Sequence, residues 1–283
     1  MALAKRFVDV LGARMAFVET GRGRPIVLLH GNPTSSYLWR RVIPELTGSG
    51  RCIAPDLIGM GDSDKLGDTY RFVDHRRYLD ALLEALDVSE DVVLVGHDWG
   101  GALAFDWANR HRSAVAGIAY METIVAPLSW EDWPQAAAGI FQAMRSDAGE
   151  QIVLDKNVFV ERILPASVLE PLDEETMAEY RRPFLSAGED RRPTLTWPRE
   201  IPIDGEPADV AAIVADYAAW LASSPVPKLF IDADPGSILV GRQRRACEAW
   251  ANQSKVTVRG SHFVQEDSGP EIGRAVASWL SSL

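Results

Sequence analysis

The sequence predicts an α/β fold: an eight-stranded, mostly parallel sheet with helices on both faces and a block of helices inserted between two strands. Three observations carry this. Eight short runs rich in β-branched and other apolar residues recur along the 283 residues, most of them apolar enough for burial on both faces, as in a parallel sheet. Amphipathic helical patterns alternate with these runs, as βαβ units require. From about Val125 to Asp209 the strand signal stops and only helical patterns remain.

Taken in order, "RFVDVLG" and "RMAFVET" read as the first two strands, joined at Gly12-Ala13-Arg14 as a hairpin entering the sheet. "PIVLLHG" and "RCIAPDL" supply the third and fourth. "DHRRYLDALLEALD" then sets Tyr78, Leu79, Leu82, Leu83 and Leu86 on one helical face, with His75, and later His111, expected at helix surfaces. "DVVLVGH" and "VAGIAYME", the fifth and sixth strands, flank a helix in "GGALAFDWANRH". "WPQAAAGIFQAMRS" and "DEETMAEYRRPF" are helices of the inserted block, and "PKLFIDA" and "KVTVRGS" close the sheet. The expected division is a core of residues 1–124 and 210–283 with a helical cap of residues 125–209. Such an insert sits over the carboxyl ends of the strands, where open α/β sheets bind ligands.

Composition narrows the class of protein. Forty acidic against 29 basic residues give a net charge of −11, which disfavours nucleic acid and anionic membrane surfaces as partners. Cys52 and Cys247 lack the close pairing of a metal or redox motif and read as buried free thiols. "MALAKRFVDVLGARMAFVETG" has no continuous apolar stretch of the signal-peptide kind, and no later run approaches the roughly 18 apolar residues of a membrane span. A cytoplasmic protein is expected, monomeric or homo-oligomeric.

The chemistry centres on "VGHDWGG", residues 95–101, within a strand, Gly-x-Asp-x-Gly and helix series. That is the context of a nucleophile elbow, with Asp98 where a serine commonly stands and with Gly96 and Gly100 permitting the tight turn. A serine must lose a proton before attack, whereas a carboxylate is already an anion at neutral pH. Carboxylate attack on sp³ carbon gives an alkyl ester, so the first step is a substitution, and a second step must hydrolyse that ester. Hydrolysis needs a base for water, and His262 in the loop after the last strand follows in the required chain order. For the acid orienting that base, Glu122 at the end of the sixth strand competes with Asp232 and Asp234 at the end of the seventh. Chain order does not separate them.

"HGNPTSSYLWR", "DLIGMGDSDK", "GHDWGGALAFDWA", "YMETI", "NVFVERILP" and "GSHFVQEDSGPEIG" together resemble the haloalkane dehalogenases of the α/β-hydrolase superfamily, over nearly the whole chain. The resemblance is nearest to the subgroup with its acid after the sixth strand. It implies an α/β-hydrolase fold, Glu122 as that acid, local roles for Asp232 and Asp234, and Asn32 with Trp99 as the halide-holding pair. Neutral N–H donors suit that task, because a halide leaving in an apolar pocket is stabilised without a fixed positive charge. The backbone N–H groups of Asn32 and Trp99 are also placed to form an oxyanion hole.

The expected activity is therefore hydrolytic dehalogenation of small apolar haloalkanes through an ester on Asp98, with no metal, nucleotide or redox cofactor. Trp133, Phe141 and Phe159 of the insert, with Ile238 of the core, are the candidate pocket walls. Three alternatives share the scaffold: an epoxide hydrolase, for which Tyr180 is the candidate proton donor; a luciferase-like enzyme; and a non-catalytic receptor binding an apolar ligand stoichiometrically.

Overall fold

In the computed structural model, β1 (Lys5–Val10), β2 (Ala13–Thr20), β3 (Pro25–Leu29), β4 (Arg51–Pro55), β5 (Val92–Asp98), β6 (Val115–Thr123), β7 (Lys228–Pro235) and β8 (Gln253–Gly260) form one sheet. The structure describes residues 4–67 and 70–283, so residues 1–3, 68 and 69 of the expected core lie outside it. The strand order is β1-β2-β4-β3-β5-β6-β7-β8. β2 runs antiparallel to both β1 and β4, and all other pairings are parallel.

Side chains alternate across the pleat, so the central strands feed two cores. Val27, Leu29, Val92 and Leu94 face one of them, Ile26, Leu28, Val93 and Val95 the other, and all are fully buried. The first layer holds α1 (Phe72–Ala85) and α2 (Trp99–Arg110). Between β6 and β7 the chain then forms α3 (Gln135–Arg145), two π-helical turns (Glu150–Asp155 and Phe159–Ile163), α4 (Leu164–Ala166), α5 (Glu174–Arg181), α6 (Arg192–Glu200) and α7 (Ala208–Ser223). Of these, α7 packs on α2 and completes the first layer. α8 (Gly241–Glu248) follows β7, and α9 (Val264–Leu280), with short 3₁₀ segments at Ser36–Arg41 and Ile43–Leu46, covers the opposite face.

Two expectations are corrected. The hairpin turns on Leu11 and Gly12, not on Gly12-Ala13-Arg14: Ala13 and Arg14 already pair with Val10 and Asp9, and both turn residues have positive φ (51° and 80°). This mirror-image turn matches the twist of the strands it joins. His75 is buried rather than on a helix surface, because it lies on the same stripe as Phe72, Tyr78, Leu79 and Leu82. Its ring stacks on Trp197 at 4.0 Å and 18°. Burial pushes its pKa down to about 3, so the ring is neutral. His111 is exposed, as expected, and stacks on Trp107.

Polar ties hold the inserted helices to the sheet. Arg40 makes a two-pronged ion pair with the buried Glu266 of α9, at 2.6 and 2.7 Å, and Tyr180 of α5 donates its hydroxyl hydrogen bond to the same carboxylate. Lys65 reaches the carbonyls of Pro183 and Asp190. Among the described residues, no helix is long and apolar enough to cross a membrane.

Candidate active site

The strand-to-helix turn between β5 and α2 lifts Asp98 above the sheet. Its backbone sits at φ 53°, ψ −129°, a conformation that costs an L-residue roughly 1–3 kcal/mol and persists only where the surroundings impose it. The Thr123 hydroxyl imposes part of it, donating to the Asp98 carbonyl at 2.6 Å. The flanking glycines serve by close approach: a Cβ on Gly100 would collide with the Leu29 carbonyl, and one on Gly96 with the backbone of Gly101. The strained φ therefore falls on the functional residue itself.

The Asp98 carboxylate meets the β3 loop. The Asn32 N–H donates to Oδ1 at 2.8 Å, the Trp99 N–H bonds the same carboxylate, and the missing side chain of Gly31 leaves room for it. Oδ2 is 3.5 Å from Nε2 of His262. Burial opposes the charge on Asp98, but the bond and charge of His262 outweigh it and hold the carboxyl below its usual range.

His262 lies between two carboxylates, its Nδ1 being 3.4 Å from Glu122 Oε2. Burial disfavours the imidazolium, yet the bonds to Asp98 and Glu122 prevail and push its pKa up to about 9. The loop is pinned on either side: the Ser261 N–H donates to Asp267 at 2.9 Å and the Phe263 N–H to the Ser167 carbonyl at 3.1 Å. The His262 carbonyl accepts from Nε2 of His97 at 2.8 Å. Burial drives the His97 pKa down to about 3, so that ring is neutral and carries its proton on Nε2.

Glu122 is buried and held by the loop after β7, accepting N–H bonds from Ser237 (3.0 Å), Ile238 (2.8 Å) and Leu239 (3.3 Å). The competing acids are elsewhere: Asp232 is buried against Arg244 and Lys255, and Asp234 is exposed. Geometry thus brings Glu122, and neither aspartate, to His262.

Asn32 and Trp99 come together beside Asp98, and α6 sets both. The Asn32 amide donates to the Thr194 carbonyl at 3.2 Å, and Trp197 stacks on Trp99 at 4.7 Å and 24°. Trp197 and His75 continue the stack behind Trp99, an arrangement the sequence reading missed. The spacing of His75 three residues before Tyr78 was the available signal for half of it.

Above these groups lies a cavity of about 90 Å³ reached by Asp98, His262, Asn32 and Trp99 and walled by Trp133, Phe141, Phe159 and Ile238. All four expected wall residues line it. Ile124, Ala137, Ile163, Pro198 and Ile201 line it as well and were not foreseen. Tyr180 is not in this wall, being engaged with Glu266. Among the described residues, no group of three or more His, Cys, Asp or Glu side chains is placed to hold a metal ion.

A carboxylate on a strained strand-to-helix turn, met by a histidine and a second carboxylate from later segments of the sheet, is the arrangement of an α/β hydrolase. The family model described as alpha/beta hydrolase fold accordingly matches residues 24–268. Relatives narrow this: haloalkane dehalogenases of Sphingobium indicum and Mycolicibacterium smegmatis are 58% and 53% identical to the chain, covering 99% and 98% of it and 96% and 91% of their own lengths. The crystal structure of haloalkane dehalogenase DbeA from Bradyrhizobium elkani superposes with a TM-score of 0.95 at 43% identity, covering 99% of this chain and 98% of that one. This chain belongs to the haloalkane dehalogenase family.

Proposed function

We infer that the protein hydrolyses haloalkanes to alcohol, halide and a proton through a covalent ester on Asp98. Oδ1 accepts the Asn32 backbone N–H while Oδ2 faces His262, so Oδ2 is the attacking oxygen. The Oδ2–C bond forms as the carbon–halogen bond breaks, and the halide leaves toward the Asn32 amide and the Trp99 indole. Water then attacks the Asp98 carbonyl carbon and gives its proton to His262, while the Asn32 and Trp99 backbone N–H groups hold the oxyanion. As the intermediate collapses, the Cγ–O bond to the alkyl group breaks, His262 returns its proton to the leaving oxygen to give the alcohol, and the Asp98 carboxyl so formed loses the remaining proton to restore the carboxylate.

The observation that carries this reading is the 3.5 Å pairing of Asp98 and His262 at the floor of an apolar cavity. The resting imidazolium owes its raised pKa first to the Asp98 carboxylate. Esterification removes that charge, lowers the histidine pKa and leaves the ring neutral when water must be deprotonated. Glu122 remains to orient Nδ1–H and stabilise the imidazolium that forms.

Small apolar substrates fit the wall of Trp133, Phe141, Phe159 and Ile238. The core of residues 1–124 and 210–283 with the cap of residues 125–209 belongs to the same reading, supported by α7 packing on α2 and by the pocket wall contributed from α3. A cytoplasmic location is supported by the buried free thiols Cys52 and Cys247, and a lack of nucleic-acid or membrane partners by the acidic balance. The epoxide reading is weakened by Tyr180, whose hydroxyl is turned to Glu266.

The test is halide release from 1-bromobutane by the wild type beside Asp98→Asn. Sustained release by the wild type alone is expected. No release by folded wild type across several chain lengths would overturn the reading.

A further inference from the structure

The inner cavity opens outward. Pro134, Ala137, Phe141, Ile163, Ser167 and Ser237 line both it and a wider vestibule of about 820 Å³. The inner cavity holds about 90 Å³, and a substrate longer than it extends into that vestibule. Its lining includes two charged residues, Lys156 and Arg162, and no carboxylate. That is unexpected in a chain with 40 acidic residues against 29 basic ones.

Both cations are exposed, and no ion pair or side-chain hydrogen bond engages either of them among the described residues. Other cations of the insert are tied up: Arg192 and Arg199 pair with Glu150, and Arg181 takes Glu161, the immediate chain neighbour of Arg162. The vestibule also offers apolar contact from Ile140, Ile152 and Val158. An apolar passage with unneutralised cations at its outer end and a nucleophile at its inner end matches a molecule with an anionic head, a methylene stem and a terminal halogen. In a chain of net charge −11, which repels anions at long range, local cations are what makes such a head acceptable.

We propose that the vestibule binds the carboxylate of an ω-halogenated carboxylic acid between Lys156 and Arg162, while the halogen end reaches Asp98. This rests on the dehalogenase reading and names a substrate class for it. The chemistry at Asp98 is unchanged: the ester forms at the ω-carbon, the halide leaves, and hydrolysis gives the ω-hydroxy acid.

The experiment compares kcat/KM for 6-bromohexanoate and 1-bromohexane in the wild type, in Lys156→Glu/Arg162→Glu, and in the milder Lys156→Gln/Arg162→Gln. Exposed ion pairs each contribute up to about 1 kcal/mol, so the ratio of the acid over the alkane is expected to fall roughly tenfold on charge reversal and about threefold on neutralisation. The loss should lie in KM. Raising the concentration of a halide-free salt should shrink the wild-type ratio, because a Debye length of about 10 Å at 0.1 M shortens further. Turnover of 1-bromohexane with no turnover of 6-bromohexanoate, or a ratio indifferent to both substitutions and salt, overturns the proposal and leaves the dehalogenase reading standing. Turnover of neither substrate overturns both.

Discussion

Nε2 of His262 stands 3.5 Å from Oδ2 of Asp98, so the imidazolium is stabilised by the carboxylate whose ester we propose it hydrolyses. The two chemical steps consequently differ in pH dependence. Asp98 stays ionised across neutral pH, and its alkylation, read as the pre-steady-state burst of halide, should be flat from about pH 6 to pH 9. Ester hydrolysis needs neutral His262 and should rise with pH, with an apparent pKa below the value of about 9 held in the free enzyme. A hydrolysis pKa at or above that value would contradict the gating.

The same pairing bears on stability. A histidine raised from 6.5 to about 9 stabilises the fold fully below the lower value and loses that contribution as pH rises through the upper one. Thermal melts of wild type and His262→Gln should therefore converge in this respect between about pH 7 and pH 10, the wild type losing more.

Removing His262, the proposed base, should trap the intermediate. In His262→Phe, one halide per chain is expected in a single burst, with a mass gain on Asp98 equal to the alkyl group and turnover reduced by at least about 10³-fold. Intact mass spectrometry reads this directly, and continued multiple turnover would refute the assignment of the base.

The stack of Trp197 on Trp99 should matter to leaving-group stabilisation. An aromatic pair contributes about 0.5–1.5 kcal/mol beyond its buried area, so Trp197→Leu should weaken product inhibition by chloride and bromide by roughly two- to tenfold. Trp197→Phe should recover part of that. Equal halide inhibition in all three proteins would detach Trp197 from the site.

Arg40→Met leaves the Glu266 carboxylate buried without its cation. A broken buried pair costs about 3–5 kcal/mol, which denaturant unfolding would register. Combining Arg40→Met with Glu266→Leu should recover much of the loss, since it removes the stranded charge.

The sheet was legible because its strands are continuous apolar runs and the central pairings are parallel, so composition alone separates them from the helices. The elbow was legible because its glycines are required by backbone contact. Glu122 was legible only by resemblance: in the sequence Asp232 and Asp234 also fall near the end of a strand run, and what separates them from Glu122 is the three N–H donors of residues 237–239, whose direction depends on how that loop folds back. His75 was misread because a polar residue on an apolar stripe is ordinarily solvated, and here a stacked indole replaces the solvent. The role of α6 was invisible because it depends on a backbone carbonyl 162 residues along the chain from Asn32 and on the ring plane of Trp197, far along the chain from Trp99.

The short loop that anchors Glu122 also supplies Ile238 to the pocket wall. It grips the Glu122 carboxylate through its peptide groups and faces the cavity through its side chain. Whatever residue occupies position 238, the peptide still donates, provided it is not proline. Selection or a designer can thus reshape the substrate wall here codon by codon without disturbing the charge system, a separation of tuning from chemistry written into a single residue.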